Sequence, residues 1–160
     1  MKKFSFFTLL AFLFSTGFVF AQNKDEEATK AATKKRLQNE YIQFLKEEGF
    51  TPSIDEDGDV EFESEGETYY IRPSIDPLYL SMFIFLSNTD NVHDLKIYQA
   101  VNVANKQYKA IKVYLTDDFI NVVINASNYL HEESDFKVIF YRCLKPMKIA
   151  TQFFQDEYTK

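Results

Sequence analysis

The chain has 160 residues, a formal net charge of −6, and side chains that are 46% apolar and 17% aromatic. This acidity argues against nucleic acid and anionic membrane surfaces as partners, because both attract clustered lysine and arginine. The apolar content is enough for a folded domain with a core and excludes a disordered chain.

The N-terminus has the layout of a cleaved secretory signal. Met1 to Lys3 is basic, residues 4–20 form an uncharged apolar run, and Ala21 precedes the polar Gln22. We therefore predict that residues 1–21 are removed on export to the periplasm or the medium, and that the mature chain is not inserted in a membrane. An uncleaved anchor is the alternative, although the apolar run is short for a bilayer span.

An amphipathic helix is predicted after a polar lead-in. Residues 22–35 form the lead-in, whose first part is expected to fray, and residues 36–160 form a single domain. From about Ala28 to Glu48 there is no Gly or Pro, and apolar residues recur with the period of a helix. Gly49 provides the stop signal. The apolar stripe consists of Leu37, Tyr41, Phe44 and Leu45.

After this helix the apolar period changes to two, which predicts β-strands. Residues 51–54 form a short strand, and residues 55–59 form an acidic turn. Residues 60–64 and 67–72 form a hairpin around Glu65-Gly66.

The next strand, residues 78–87, is apolar on both faces. Such a strand is covered on both faces or presents one of them to a partner. One face carries Leu78, Leu80, Met82, Ile84 and Leu86, and the other carries Tyr79, Phe83 and Phe85.

The second half of the chain predicts a helix and two more strands. Thr89 or Asp90 caps the helix, which ends near Lys106. Residues 110–115 and 119–126 alternate between apolar and polar side chains, as strands do.

The last helix is capped by Ser134 and has the strongest apolar stripe of the chain. Cys143 lies on this stripe, so we predict a buried thiol. Pro146 is expected to kink or split the helix near Arg142. The element order is then α-β-β-β-β-α-β-β-α, an α+β fold with flanking helices on an antiparallel sheet.

No residue pattern indicates a catalytic, cofactor or metal site. The turn at residues 55–59 places acids near the offsets of an EF-hand loop, but Ser53 and Ser64 stand where calcium requires carboxylates. His93 and His131 lack the ligand spacing of a zinc site. We predict a non-enzymatic chain, and the alternative is a small metal-dependent enzyme that uses the acidic turn.

Aromatic residues on consecutive strands are the best candidate for a binding surface. If the helices cover one face of the sheet, the other face exposes aromatic area, which is typical of binding sites. The candidates are Tyr69, Tyr79, Phe83 and Phe85. Packing of these rings in the core is the alternative.

Several segments resemble YbjN-type domains, a family of sensory-transduction regulators. Residues 41–50 match a helix ending in "L-x-E-x-G-(F/Y)", residues 54–62 match an acidic "D-x-D-G" turn, and residues 66–71 continue the pattern. Residues 100–105 resemble the second helix of these domains with its paired asparagines, and residues 109–114 resemble the strand that follows.

The resemblance covers about residues 36–158 and implies the fold of type III secretion chaperones, a twisted antiparallel sheet with helices packed on it. The family has no established catalytic residues to transfer, and folds of this kind often form homodimers. We therefore predict an exported binding or adaptor domain for an unknown protein or peptide. A weak homodimer that uses the same surface, or an envelope-anchored structural protein with an uncleaved N-terminus, remains open.

Overall fold

The computed structural model describes residues 6–87, 95–118 and 121–159. Six strands form one antiparallel sheet in the order β1-β2-β3-β4-β6-β5. The element order matches the predicted one, and the α+β antiparallel fold is confirmed. The elements are α1 (Phe6–Glu47), β1 (Ser53–Ile54), β2 (Val60–Ser64), β3 (Glu67–Arg72), β4 (Tyr79–Ser87), α2 (Leu95–Gln107), β5 (Lys112–Leu115), β6 (Asn121–Tyr129), a 3₁₀ turn (Glu133–Asp135) and α3 (Phe136–Thr159).

The first helix is longer than its apolar stripe predicts. Helix α1 runs without a break from Phe6, so the lead-in at residues 22–35 is helical and not frayed. Its Ala, Lys, Glu and Gln residues favour helix strongly, and a Glu26–Lys30 ion pair at 2.6 Å adds support one turn apart. Among the helices that the structure describes, none has both the length and the apolar composition needed to cross a bilayer.

Helix α1 ends at the predicted glycine through a Schellman motif. Gly49 has a φ of +86°, which is favourable only for a residue without a Cβ. The Phe50 amide donates to the Leu45 carbonyl at 2.8 Å, and the Gly49 amide donates to the Lys46 carbonyl at 3.1 Å. The turn directs the Phe50 ring against Phe62 of β2, with ring centroids 5.1 Å apart.

The three helices pack against one face of the sheet. The core joins the apolar stripes of α1, α2 and α3 to every second residue of the central strands. The helices contribute, among others, Leu37, Tyr41, Leu45, Ile97, Ala104, Phe140, Cys143 and Met147. The strands contribute Val60, Phe62, Tyr69, Ile71, Leu80, Met82, Ile84, Val113, Val122 and Ile124. We call this side of the sheet the helix face and the opposite side the open face.

Helix α3 is not split at its proline. It continues through Pro146 as one helix from Phe136 to Thr159. A proline in this position removes one backbone hydrogen bond and costs on the order of 3 kcal/mol. Cys143 and Met147, on either side of it, are both buried in the core, and this packing offsets the cost of the proline. The burial predicted for the Cys143 thiol is confirmed, and it raises the pKa of that thiol.

The β5 edge of the sheet is closed by a side chain from α2. The amide group of Asn105 donates to the Val113 carbonyl at 2.7 Å and accepts from the Val113 amide at 2.9 Å. It satisfies one residue's donor and acceptor on a strand edge that would otherwise be open to pairing. The predicted caps Thr89 and Asp90 lie outside the described residues.

Strand boundaries differ slightly from those expected. Strand β1 is limited to Ser53–Ile54, because proline in the preceding position cannot donate to a ladder. Strand β5 starts at Lys112, two residues later than predicted, and β6 continues three residues further, to Tyr129. The extension of β6 pairs it with β4 along the full length of both strands.

Candidate binding surface

The open face carries an aromatic cluster at the middle of the sheet. Its members are Tyr70, Phe83 and Phe85, from the paired strands β3 and β4. Tyr70 stacks on Phe83 with ring centroids 5.3 Å apart and an interplanar angle of 11°. Phe85 meets both of the other rings edge-on, at 5.3 and 5.6 Å. These distances are those of favourable aromatic pairs.

The cluster is closely packed on itself and still presents aromatic area to solvent. Phe83 is only 4% exposed although none of the described helices covers it, because Tyr70, Phe85 and Arg72 surround the ring. Phe85 is 42% exposed, and Tyr114 on β5 is exposed as well. Burial raises the pKa of the Tyr70 hydroxyl, and the Glu61 and Asp55 carboxylates raise it further. The cluster therefore provides a rigid and partly dehydrated platform for an apolar side chain.

A cation borders the aromatic cluster. The Arg72 guanidinium carbon lies 4.6 Å from the centre of the Phe83 ring, within the range of a cation–π contact. The same guanidinium donates through Nε and Nη2 to the carboxylate of Asp59, at 2.7 to 3.2 Å. This fork raises the pKa of Arg72 and fixes the orientation of its charge.

The open face becomes polar beside Phe83. Asn125 on β6 donates through Nδ2 to the Ser81 hydroxyl and to the Met82 carbonyl, both at 3.1 Å. The Ser127 hydroxyl donates to the side-chain oxygen Oδ1 of Asn125 at 2.8 Å. The surface thus has an aromatic half and a hydroxyl-rich half, with Arg72 near the boundary between them.

Three of the four predicted surface residues lie on the open face. Phe83 and Phe85 belong to the aromatic cluster, and Tyr79 pairs with Tyr129 at the end of β4 with ring centroids 5.2 Å apart. Tyr69 does not lie there and is a correction: it is 1% exposed, lies on the helix face and stacks on Phe62.

The residue that takes the place of Tyr69 on the open face is its neighbour, Tyr70. Arg72 is also part of this surface and was missed. Both positions follow from the alternation of side chains along β3, once it is known which of its faces is buried.

Two carboxylates of the acidic turn, those of Asp55 and Asp59, make hydrogen bonds within the fold. Asp55 Oδ1 accepts the backbone amides of Asp57 and Asp59, at 3.0 and 2.8 Å, and the Asp59 carboxylate binds Arg72. Gly58 has a φ of +81°, and its carbonyl accepts a hydrogen bond from Gln38 of α1. Within residues 6–87, 95–118 and 121–159 the structure brings together no group of three metal-ligating side chains.

The predicted histidines do not form a shared site in the described structure. His131 lies just after β6, where its backbone amide donates to Asp135. His93 lies outside the described residues.

A single antiparallel sheet with all described helices on one face is the architecture of type III secretion chaperones. Among solved structures, the chain is similar to YbjN from E. coli, with 13% identity, a TM-score of 0.55, and coverage of 71% of this chain and 86% of that one. It is similar to an uncharacterized protein from Methanothermobacter thermautotrophicus, with 13% identity, a TM-score of 0.55, and coverage of 76% and 96%.

The third similar structure is that of the ExsC–ExsE complex, with 13% identity, a TM-score of 0.51, and coverage of 72% of this chain and 91% of that one. The structural similarity establishes a shared fold, and at 13% identity it establishes the fold alone. The YbjN-like, chaperone-like fold expected from the sequence is confirmed. No family model and no curated protein matches the sequence.

Proposed function

We propose that this chain is an exported, non-enzymatic binding domain that holds a protein or peptide segment on the open face of its sheet. The observation that carries the proposal is the aromatic cluster, which no described helix covers. Phe85 offers exposed area, Tyr70 and Phe83 hold it rigid, and Arg72 adds a fixed cation at the border. Preorganised aromatic anchors of this kind supply much of the energy in protein interfaces.

Two further observations support a binding role. The fold is shared with ExsC, which has been solved in complex with ExsE. Within the described part of the chain, two carboxylates of the acidic turn are engaged: that of Asp55 by backbone amides and that of Asp59 by Arg72. This arrangement favours a structural turn over the catalytic site of a small metal-dependent enzyme.

Binding to the open face is tested with a random peptide library displayed on phage and selected on the purified protein. Selected peptides are expected to lose at least about tenfold in affinity on the Phe85→Asp variant, because the substitution places a charge in an apolar contact. The matched control is Ile149→Asp. Ile149 is similarly exposed, at 48%, but lies on α3.

Two results would overturn this assignment. One is equal affinity of the selected peptides for both variants, which would place their site elsewhere. The other is a concentration-dependent dimer, measured by light scattering, that Phe85→Asp abolishes and Ile149→Asp preserves. That result would make a second copy of the chain the occupant of the open face.

Export is supported by the basic, apolar and small-residue pattern of residues 1–21. The intact mass of the protein recovered from a producing cell is expected to correspond to a chain that starts at Gln22. A mass that retains Met1 to Lys3 would contradict cleavage and favour the anchored alternative.

A further inference from the structure

A cavity opens at the end of the open face, where β3 leaves the sheet and β4 enters it. Its volume is about 440 Å³, within the range of small-ligand sites. It is lined by Lys34, Arg72, Pro73, Ser74, Ile75, Tyr79 and Ser81. Two cations and three hydroxyl groups therefore face one depression on a chain whose net charge is −6.

The two cations are available to a ligand to different degrees. Arg72 uses Nε and Nη2 for Asp59, but the Asp59 side chain is 5% exposed whereas the Arg72 side chain is 57% exposed. The carboxylate is thus covered and the guanidinium faces solvent. Lys34 is an exposed residue of α1, and the structure shows no ion-pair partner for it among the described residues.

Of the three hydroxyl groups, the two serine oxygens already accept hydrogen bonds. Ser81 Oγ accepts from Asn125 Nδ2 at 3.1 Å and has a longer contact, 3.4 Å, with Ser127 Oγ, while Ser74 Oγ accepts from the Asp76 amide at 3.0 Å. A hydroxyl whose oxygen is accepting still has its O–H to offer. Ammonium, guanidinium and hydroxyl donors around one cavity are complementary to an oxyanion.

The acidic neighbours of the cavity restrict the charge of that anion. Asp59 pairs with Arg72, Asp57 is close enough to raise the pKa of Arg72, and the Asp76 carboxylate accepts the Leu78 amide at the mouth of the adjacent loop. These carboxylates repel a multiply charged ligand such as phosphate more strongly than a single carboxylate.

We infer that this cavity binds one carboxylate of a peptide segment whose neighbouring aromatic or large apolar side chain lies on the aromatic cluster. The inference rests on the proposed function and specifies the partner's chemistry. We expect the two groups to be close together in the ligand, because the Arg72 guanidinium lies 4.6 Å from the Phe83 ring and Phe83 contacts the exposed Phe85 ring at 5.3 Å. A chain terminus after an aromatic residue and an acidic side chain next to one both meet this expectation.

The test is an NMR titration of the protein with small probes. N-acetyl-phenylalanine carries a ring and a terminal carboxylate, N-acetyl-aspartyl-phenylalaninamide carries a ring and a side-chain carboxylate, and N-acetyl-phenylalaninamide is neutral. At least one acidic probe is expected to bind at least about tenfold more tightly than the neutral one, as charge-assisted hydrogen bonds predict. Which acidic probe binds more tightly identifies the source of the carboxylate.

The matched variants are Lys34→Gln and Lys35→Gln, which remove neighbouring exposed lysines of α1. Only Lys34→Gln is expected to weaken the acidic probe, and neither variant should affect the neutral one. Inorganic phosphate should bind more weakly than the acidic probe.

The inference is overturned if the neutral and acidic probes bind equally, if the two variants behave alike, or if phosphate binds as tightly as the carboxylate. If the probes bind equally or the two variants behave alike, the proposed function is still supported as long as the neutral probe shifts the Tyr70, Phe83 and Phe85 signals. No shift on the open face with any of the three aromatic probes would contradict both.

Discussion

Tyr69→Ala is expected to lower the free energy of unfolding by about 3–5 kcal/mol, the cost of removing a fully buried aromatic side chain. The Tyr69 ring is enclosed between the sheet and the helices and stacks on Phe62 at 5.7 Å. Tyr70→Ala, one residue further, is expected to cost only about 1–2 kcal/mol, because its ring is half-buried and contacts mainly Phe83 and Phe85.

Urea denaturation of the two variants measures this difference. Binding of the peptides selected on the open face should follow the opposite order. Tyr70→Ala should weaken it, while Tyr69→Ala should leave it unchanged under conditions where that variant is still folded. Equal stability losses for the two variants would contradict the assignment of Tyr69 to the helix face.

The finding that Tyr70, and not Tyr69, lies on the open face shows which part of the surface could have been predicted from the sequence. The hairpin turn at Glu65-Gly66 has both φ angles positive, at 56° and 85°, as a two-residue turn of type I′ requires. A two-residue turn sets Ser64 opposite Glu67 and therefore Phe62 opposite Tyr69. Directly opposed residues share a face, so Tyr69 must join Phe62 in the core.

Element type and order were predictable because they depend on local periodicity. The ends of β2 and β3, the stop at Gly49 and the burial of Cys143 all follow from neighbours close in sequence. Helix was predicted from about Ala28, but the continuous helix before it was not, because that segment has no apolar stripe; its alanines and the Glu26–Lys30 pair support it instead.

The position of Lys34 in the candidate surface could not be predicted in this way. Lys34 lies on α1 and Arg72 on β3, and only the tertiary fold brings them to one cavity. The partner of Arg72 is Asp59, thirteen residues away at the open end of the β2–β3 hairpin, next to the Val60–Ile71 pair. The hairpin register therefore predicts the Asp59–Arg72 pair. The sequence carries no such signal for Lys34, because α1 and β3 are far apart in the chain.

The buried tyrosines predict a loss of stability in alkaline solution. Burial raises the pKa of both Tyr41 and Tyr69 to about 12, from an ordinary value of about 10. Between these values the unfolded chain releases the two protons and the folded chain retains them. The stabilisation is therefore complete below about pH 10 and is lost as the pH rises towards 12, by up to about 2–3 kcal/mol for each tyrosine.

Tyr41→Phe separates this effect from general alkaline damage. In the described structure the Tyr41 hydroxyl is buried without a hydrogen-bond partner, so its removal at pH 8 should be neutral or should stabilise the fold by about 1 kcal/mol. Urea denaturation at pH 8, 10 and 11 should then show a smaller alkaline loss for this variant than for the wild type. Tyr129→Phe, at an exposed position, is the control and should follow the wild type. If Tyr41→Phe lost stability with pH as steeply as this control, the Tyr41 hydroxyl would have to be accessible to water in the folded chain, and the tight packing of α1 against Phe136 would be wrong.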